Sequence, residues 1–114
     1  MTYSKIKTAF QVGKGEKLCI VIALGYGETQ GLPHKSKSME EVIQLDRPAP
    51  EWFQKGVEAA LLAPTAMNQQ KFLFRLDKNR VSVKAGFGFY TKIDMGIVKY
   101  HFEIGAGKEH FQWE

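Results

Sequence analysis

The chain has 114 residues, 44% of them apolar, which suits one domain with a modest core. Its formal charge of +4 comes from 16 Lys and Arg against 12 Asp and Glu, dispersed without any run of like charge, which argues against a nucleic-acid surface and leaves a small anionic ligand compatible. The single cysteine, Cys19, excludes an intrachain disulfide and a Cys-based zinc site, and the longest apolar run, residues 18–24, is too short to cross a bilayer, so a soluble cytoplasmic protein is the expectation.

The opening MTYSKIKTAF has no signal-peptide apolar segment. Residues 12–17, VGKGEK, read as a loop; they lack the spaced glycines and following Ser or Thr of a phosphate-binding loop. Residues 17–24 are apolar and β-rich, which predicts a strand buried on both faces, with Cys19 as a packing residue. Residues 25–33, with three glycines and a proline, predict a loop. Ser38 and Glu41 have capping-box spacing, so a short helix is expected through SMEEVIQL, stopped by DRPAP at 46–50. A second helix is expected at 51–62, with Phe53, Val57, Ala60 and Leu61 as its apolar stripe.

Residues 71–77 alternate as a strand, and after the turn DKN residues 80–85 alternate again, which predicts a hairpin. GFGFY at 86–90 is a loop whose aromatic residues could pack on the core or stack on a ring. Thr91 and Asp94 form a second capping pattern. It opens a helix over 92–105, whose apolar positions Ile93, Gly96, Ile97, Tyr100, His101 and Ile104 share one stripe. In the tail GKEHFQWE, Phe111 and Trp113 read as exposed. The sum is an α+β fold with a small, mainly antiparallel sheet and packed helices, in one domain over 1–114. The aromatic tail and small core suggest a homodimer or a companion chain.

The stretch LLAPTAMNQQKF, residues 61–72, crowds Thr65, Asn68, Gln69 and Gln70 into a helix-to-strand corner. Amide side chains both donate and accept, so such a set matches the mixed edge of a flat heterocycle. The corner resembles the flavin-binding corner of the nitroreductase family, typically Ala-Pro-Ser, two residues, Asn, one residue and Gln-Pro-Trp. Ala63, Pro64, Thr65, Asn68 and Gln70 match in register, with Thr for Ser, while Lys71 and Phe72 stand for Pro and Trp. IDMGIVKYHFEIGAG, residues 93–107, resembles a helix of the family's tandem-duplicated branch. CIVIALGYG, a basic loop and SMEEV also fit, so the resemblance covers about residues 17–113.

The resemblance implies a nitroreductase-like fold of which this chain looks like the C-terminal half. It implies FMN as cofactor, NAD(P)H as electron donor and a nitro or quinone-like acceptor. Pro64, Thr65, Ala66, Asn68 and Gln70 are the expected flavin contacts. No catalytic side chain is implied, since the hydride chemistry belongs to the cofactor. The chain departs from the family in the Arg-rich segment that usually grips the FMN phosphate: its only arginines are Arg47, Arg75 and Arg80. The alternative is therefore a non-catalytic dimerising or binding module derived from the fold. His34 with Lys35 and Lys37 is a possible anion contact. His101 reads as a core or interface group and His110 as a surface one. Three separated histidines predict no metal site, and Ser36, Ser38 and Ser82 lack a nucleophile elbow.

Overall fold

In the computed structural model, which describes residues 10–114, the chain forms β1 (Ile43–Gln44), α1 (Glu51–Leu61), β2 (Phe72–Asp77), β3 (Arg80–Ala85), α2 (Thr91–Ala106) and β4 (Gln112–Trp113). Single 3-10 turns stand at Met39–Glu41, Ala66–Asn68 and Lys108–His110. The chain divides into two compact units, Met1–Leu32 and Pro33–Glu114. Every helix and strand among the described residues lies in the second.

The described part of the first unit has a turn at Gly13–Glu16, where the Gly13 N–H donates to Glu16 Oε2 at 2.8 Å. The buried strand expected at 17–24 is not there. No strand is assigned to it among the described residues, Ile20 and Ile22 are 74% and 72% exposed, and Cys19 is exposed as well. Apolar, β-branched composition gives a segment strand propensity, but that propensity is a context-dependent preference and does not by itself make a strand.

In the second unit the sheet order is β1-β2-β3-β4. The expected hairpin is its centre: β2 and β3 pair antiparallel from Phe72↔Ala85 to Asp77↔Arg80. The sheet is mixed rather than mainly antiparallel, because β1 joins β2 and β4 joins β3 in parallel, two residues each. Both edges depart from the expected elements. The helix expected from Ser38 lasts one turn; its cap forms, with the Ser38 N–H donating to Glu41 Oε2 at 2.8 Å. Then the Val42 carbonyl accepts the Phe74 N–H at 2.7 Å, and the β-branched pair Val42-Ile43 turns into strand. The tail is likewise not exposed: Phe111 is buried and Trp113 packs against the core. The Trp113 indole N–H donates to Glu103 at 2.8 Å. That bond, and then Lys108, hold the Glu103 carboxyl below its ordinary range.

Helix α1 buries Phe53, Val57, Ala60 and Leu61, the expected stripe. Helix α2 differs: its buried face is Asp94, Val98, Phe102 and Ala106, while Ile93, Tyr100 and Ile104 face outward. The 93-97-100-104 stripe and the 94-98-102-106 stripe are both good helical spacings. Phe102 decides between them, because its ring fills the space among Phe53, Phe74, Phe111 and Trp113.

The two helices touch through glycine. A Cβ on Gly105 would meet the Lys55 carbonyl and stand 2.6 Å from the Ala59 Cβ; one on Gly56 would stand 2.6 Å from the Phe102 ring. Gly105→Ala is therefore expected to destabilise the fold by about 1.5 kcal/mol, since forcing the helices apart outweighs the ~0.5–1 kcal/mol of helix propensity gained. Urea unfolding checks this, and an alanine variant as stable as the parent would mean the contact relaxes freely.

Candidate functional site

The corner begins where Ala63 and Pro64 end α1. Thr65 takes an extended conformation (φ −123°, ψ 153°) and the 3-10 turn Ala66–Asn68 follows. Met67, Asn68 and Gln70 then lie in the left-handed region at φ 51°, 50° and 43°. Side chains with a Cβ seldom adopt it, so three in four residues must be held by their surroundings.

Three sets of bonds do the holding. Within the turn, the Gln70 N–H donates to Thr65 Oγ1 at 3.1 Å, and Gln70 Nε2 donates to Asn68 Oδ1 at 3.2 Å. From α2, Asp94 Oδ1 accepts the Ala66 N–H at 3.0 Å, and its Oδ2 accepts Gln69 Nε2 at 2.6 Å. From the basic segment at 34–37, the Lys37 N–H donates to Gln70 Oε1 at 2.7 Å and Lys37 Nζ to the Gln70 carbonyl at 3.0 Å. Asn68 Nδ2 returns a bond to the Lys35 carbonyl at 2.7 Å. His34 Nδ1 lies 3.4 Å from Gln70 Nε2.

The five residues expected at the site therefore come together but take different positions. Pro64 and Asn68 are exposed, Thr65 and Ala66 half-buried, and Gln70 only 1% exposed. Gln70 acts as the hub that ties turn to basic segment. What faces outward is Met67, 84% exposed, Pro64 and the accessible part of Asn68. Beside them an open cleft of about 380 Å³ is lined by Lys35, Ser36, Lys37, Glu41, Asn68 and Gln70. Among the described residues no buried side-chain N or O atom lacks a partner.

The corner also fixes the aromatic loop at 86–90. Gln69 Nε2 donates to the Phe89 carbonyl at 2.8 Å, Lys71 Nζ to the Phe87 carbonyl at 3.0 Å, and the Gly86 N–H to the Lys71 carbonyl at 2.8 Å. The loop does not pack on the core: Phe87 is 100% and Phe89 66% exposed.

Sequence reasoning missed Asp94, Gln69 and the Lys37–Gln70 link. Asp94 reads as a capping partner of Thr91, but the N-cap of α2 is Tyr90, at φ 58°, with no side-chain cap bond. The carboxylate instead reaches across to the corner. Asp94 is buried at 8% exposure, and a buried acid demands donors from elsewhere, but the sequence carries no sign of that burial. Of the histidines, His101 is half-buried with Nδ1 2.9 Å from the Ile97 carbonyl, and His110 is exposed and stacks on Trp52.

The geometry thus describes an α+β unit whose polar helix-to-strand corner is clamped between a basic segment and a helix-borne aspartate. A family model described as "Putative TM nitroreductase" matches residues 1–106. The chain belongs to this nitroreductase family. No curated protein and no solved structure matched it. No helix among the described residues is long and apolar enough to cross a membrane.

Proposed function

We infer that the chain is a flavin-binding, nitroreductase-type oxidoreductase whose corner holds FMN, with NAD(P)H as electron donor and a nitro or quinone-like compound as acceptor. The observation that carries this reading is the pairing of the corner with cations. Lys35 and Lys37 line the cleft beside Asn68 and Gln70, so a phosphate and a polar ring edge could be met within one small region.

The donor set fits such a group. The Lys35 ammonium bonds to no other described residue, and the Thr65 hydroxyl accepts from Gln70 while keeping its own proton to donate. The exposed Asn68 amide has a second hydrogen to offer. Pro64 and Ala66 shape the corner's backbone, and buried Gln70 supports it from beneath. When bound, FMN supplies the hydride and electron transfer. The chain's residues bind and orient it, and no side chain here is assigned a proton-transfer role.

A second reading is favoured by one observation: Gln70 and Gln69 spend their amides on the protein itself. On that reading the corner is a scaffold and the chain a non-catalytic module. The visible absorbance spectrum, taken as isolated and again after FMN is added and the protein desalted, separates the two. Retained yellow bands, weakened about 10-fold in affinity by Lys35→Ala through loss of one charge-assisted contact, support flavin binding. A folded protein that stays colourless would exclude it.

A further inference from the structure

We propose that the polar face of the sheet carries a binding cleft for a small zwitterion. Arg75, Ser82 and Lys84 take its carboxylate, and Asp46 and Asp77 take an ammonium group a few carbon atoms away. The inference is independent of flavin binding and of the corner.

The register builds the cleft. Phe74 and Leu76 are buried, so the alternating residues Arg75 and Asp77 of β2 share the opposite face. Gln44 of β1 lies beside Arg75, and Ser82 of β3 lies directly opposite it, ~5 Å away between Cβ atoms. Lys84 stands two residues beyond Ser82 on the same face, beside Leu73. These groups, with Asp46 and Asp77 at the other end and Glu114 at the β4 edge, line an open cleft of about 850 Å³. Arg80 lies opposite Asp77 in the register but does not line the cleft.

The argument for a ligand starts from how Arg75 is held. Gln44 Oε1 accepts from its Nε at 2.8 Å and from its Nη2 at 2.5 Å. A neutral amide thus orients the half-buried guanidinium without neutralising it, and of its five N–H groups three stay free. Three acids line the same cleft, yet none pairs with it: the ion pairs among the described residues are Glu51–Lys55, Glu103–Lys108 and Glu109–His110. The Ser82 hydroxyl and the Lys84 ammonium bond to no other described residue either. An oriented guanidinium fork matches a planar carboxylate, and the hydroxyl and ammonium can add to that grip. The acids select what the carboxylate is attached to. Asp77 is ~6.5–7 Å from Arg75 along β2, so a second negative charge would be repelled there and a positive one attracted. Leu45, half-buried in the same cleft, offers apolar contact to the carbons between.

Backbone-amide NMR of the full chain, titrated with 4-aminobutyrate, is expected to show saturable shifts at residues 75, 77, 82 and 84. Butyrate and butylamine, each with one charge, are expected to bind ~10-fold more weakly, as loss of one charge-assisted contact implies. Arg75→Met should weaken 4-aminobutyrate ~10-fold or more. Asp46→Asn with Asp77→Asn should bring 4-aminobutyrate down to the level of butyrate while leaving butyrate no weaker. If Arg75→Met misfolds, Lys84→Gln, at an exposed position, is read instead and should weaken 4-aminobutyrate about 3-fold. The proposal is overturned if 4-aminobutyrate gives no saturable shift up to ~50 mM, or if the arginine or lysine variant binds it as tightly as the parent. It is overturned equally if butyrate or inorganic phosphate binds as tightly as 4-aminobutyrate, since the acids then select nothing.

Discussion

Phe102→Ala is expected to lower the unfolding free energy by about 4 kcal/mol, the upper range for truncating a buried aromatic residue. Domains of this size are stable by roughly 5–15 kcal/mol, so the variant should sit near the edge of folding. The reason is position. Phe102 is fully buried and stacks on Phe74 at 4.8 Å, with Phe53 and Phe111 edge-on at 5.6 and 5.2 Å and Trp113 at 5.4 Å. It therefore joins α1, the central hairpin and the C-terminal strand at one ring. Removing it leaves a cavity that the neighbours can close only by moving two helices already in contact at Gly56 and Gly105. Phe102→Leu keeps most of the volume and should cost clearly less. Urea unfolding followed by tryptophan fluorescence reads both. A loss under ~1.5 kcal/mol for the alanine variant would mean that the core is not organised around this ring.

That ring also explains why one half of the fold was legible and the other not. Helix α1 and the hairpin follow from periodicity because each offers a single apolar face, and Phe53, Val57, Ala60 and Leu61 are all buried as their spacing requires. Helix α2 offers two faces of equal spacing, and only tertiary packing tells which one meets the core. The short edge strands β1 and β4 carry no periodic signal in two residues each; they exist because Phe74 and Val81 present backbone groups that need partners. The run at 17–24 departs in the opposite sense, with strong strand propensity but no strand assigned among the described residues. At the corner, the motif's residue types were visible in Ala63, Pro64, Thr65, Asn68 and Gln70. Their division of labour was not. Whether an amide faces a ligand or the protein depends on Asp94 and Lys37, which lie 24 and 33 residues from Gln70 along the chain. Local sequence cannot report bonds of that span.

Gln70→Leu tests that division of labour and is expected to cost about 3 kcal/mol, within the range for stranding buried hydrogen-bonding groups. Leucine nearly matches glutamine in volume, so little cavity forms, and the loss isolates the amide. Gln70 Oε1 receives the Lys37 N–H at 2.7 Å, and Nε2 donates to Asn68 at 3.2 Å. With both gone, the Lys37 N–H loses its acceptor and Asn68, at φ 50°, loses one of the bonds that hold its left-handed backbone. The backbone bonds of residue 70 to Thr65 and to Lys37 Nζ survive, so the segment at 34–37 should loosen rather than detach. Hydrogen exchange at the Lys37 amide should accelerate ~100-fold, matching about 3 kcal/mol of lost protection. Gln70→Glu is the discriminating partner. Its carboxylate can still accept the Lys37 N–H and gains attraction to the Lys37 ammonium, while the bond to Asn68 is lost. It should therefore keep the Lys37 amide protected and lose less stability. If leucine and glutamate behave alike, or if leucine leaves Lys37 exchange unchanged, Gln70 is merely filling space. If the order is as expected, the corner is a support built from beneath by Gln70, and any ligand it takes is met by the groups that remain outside: Thr65, Asn68 and the lysines of the basic segment.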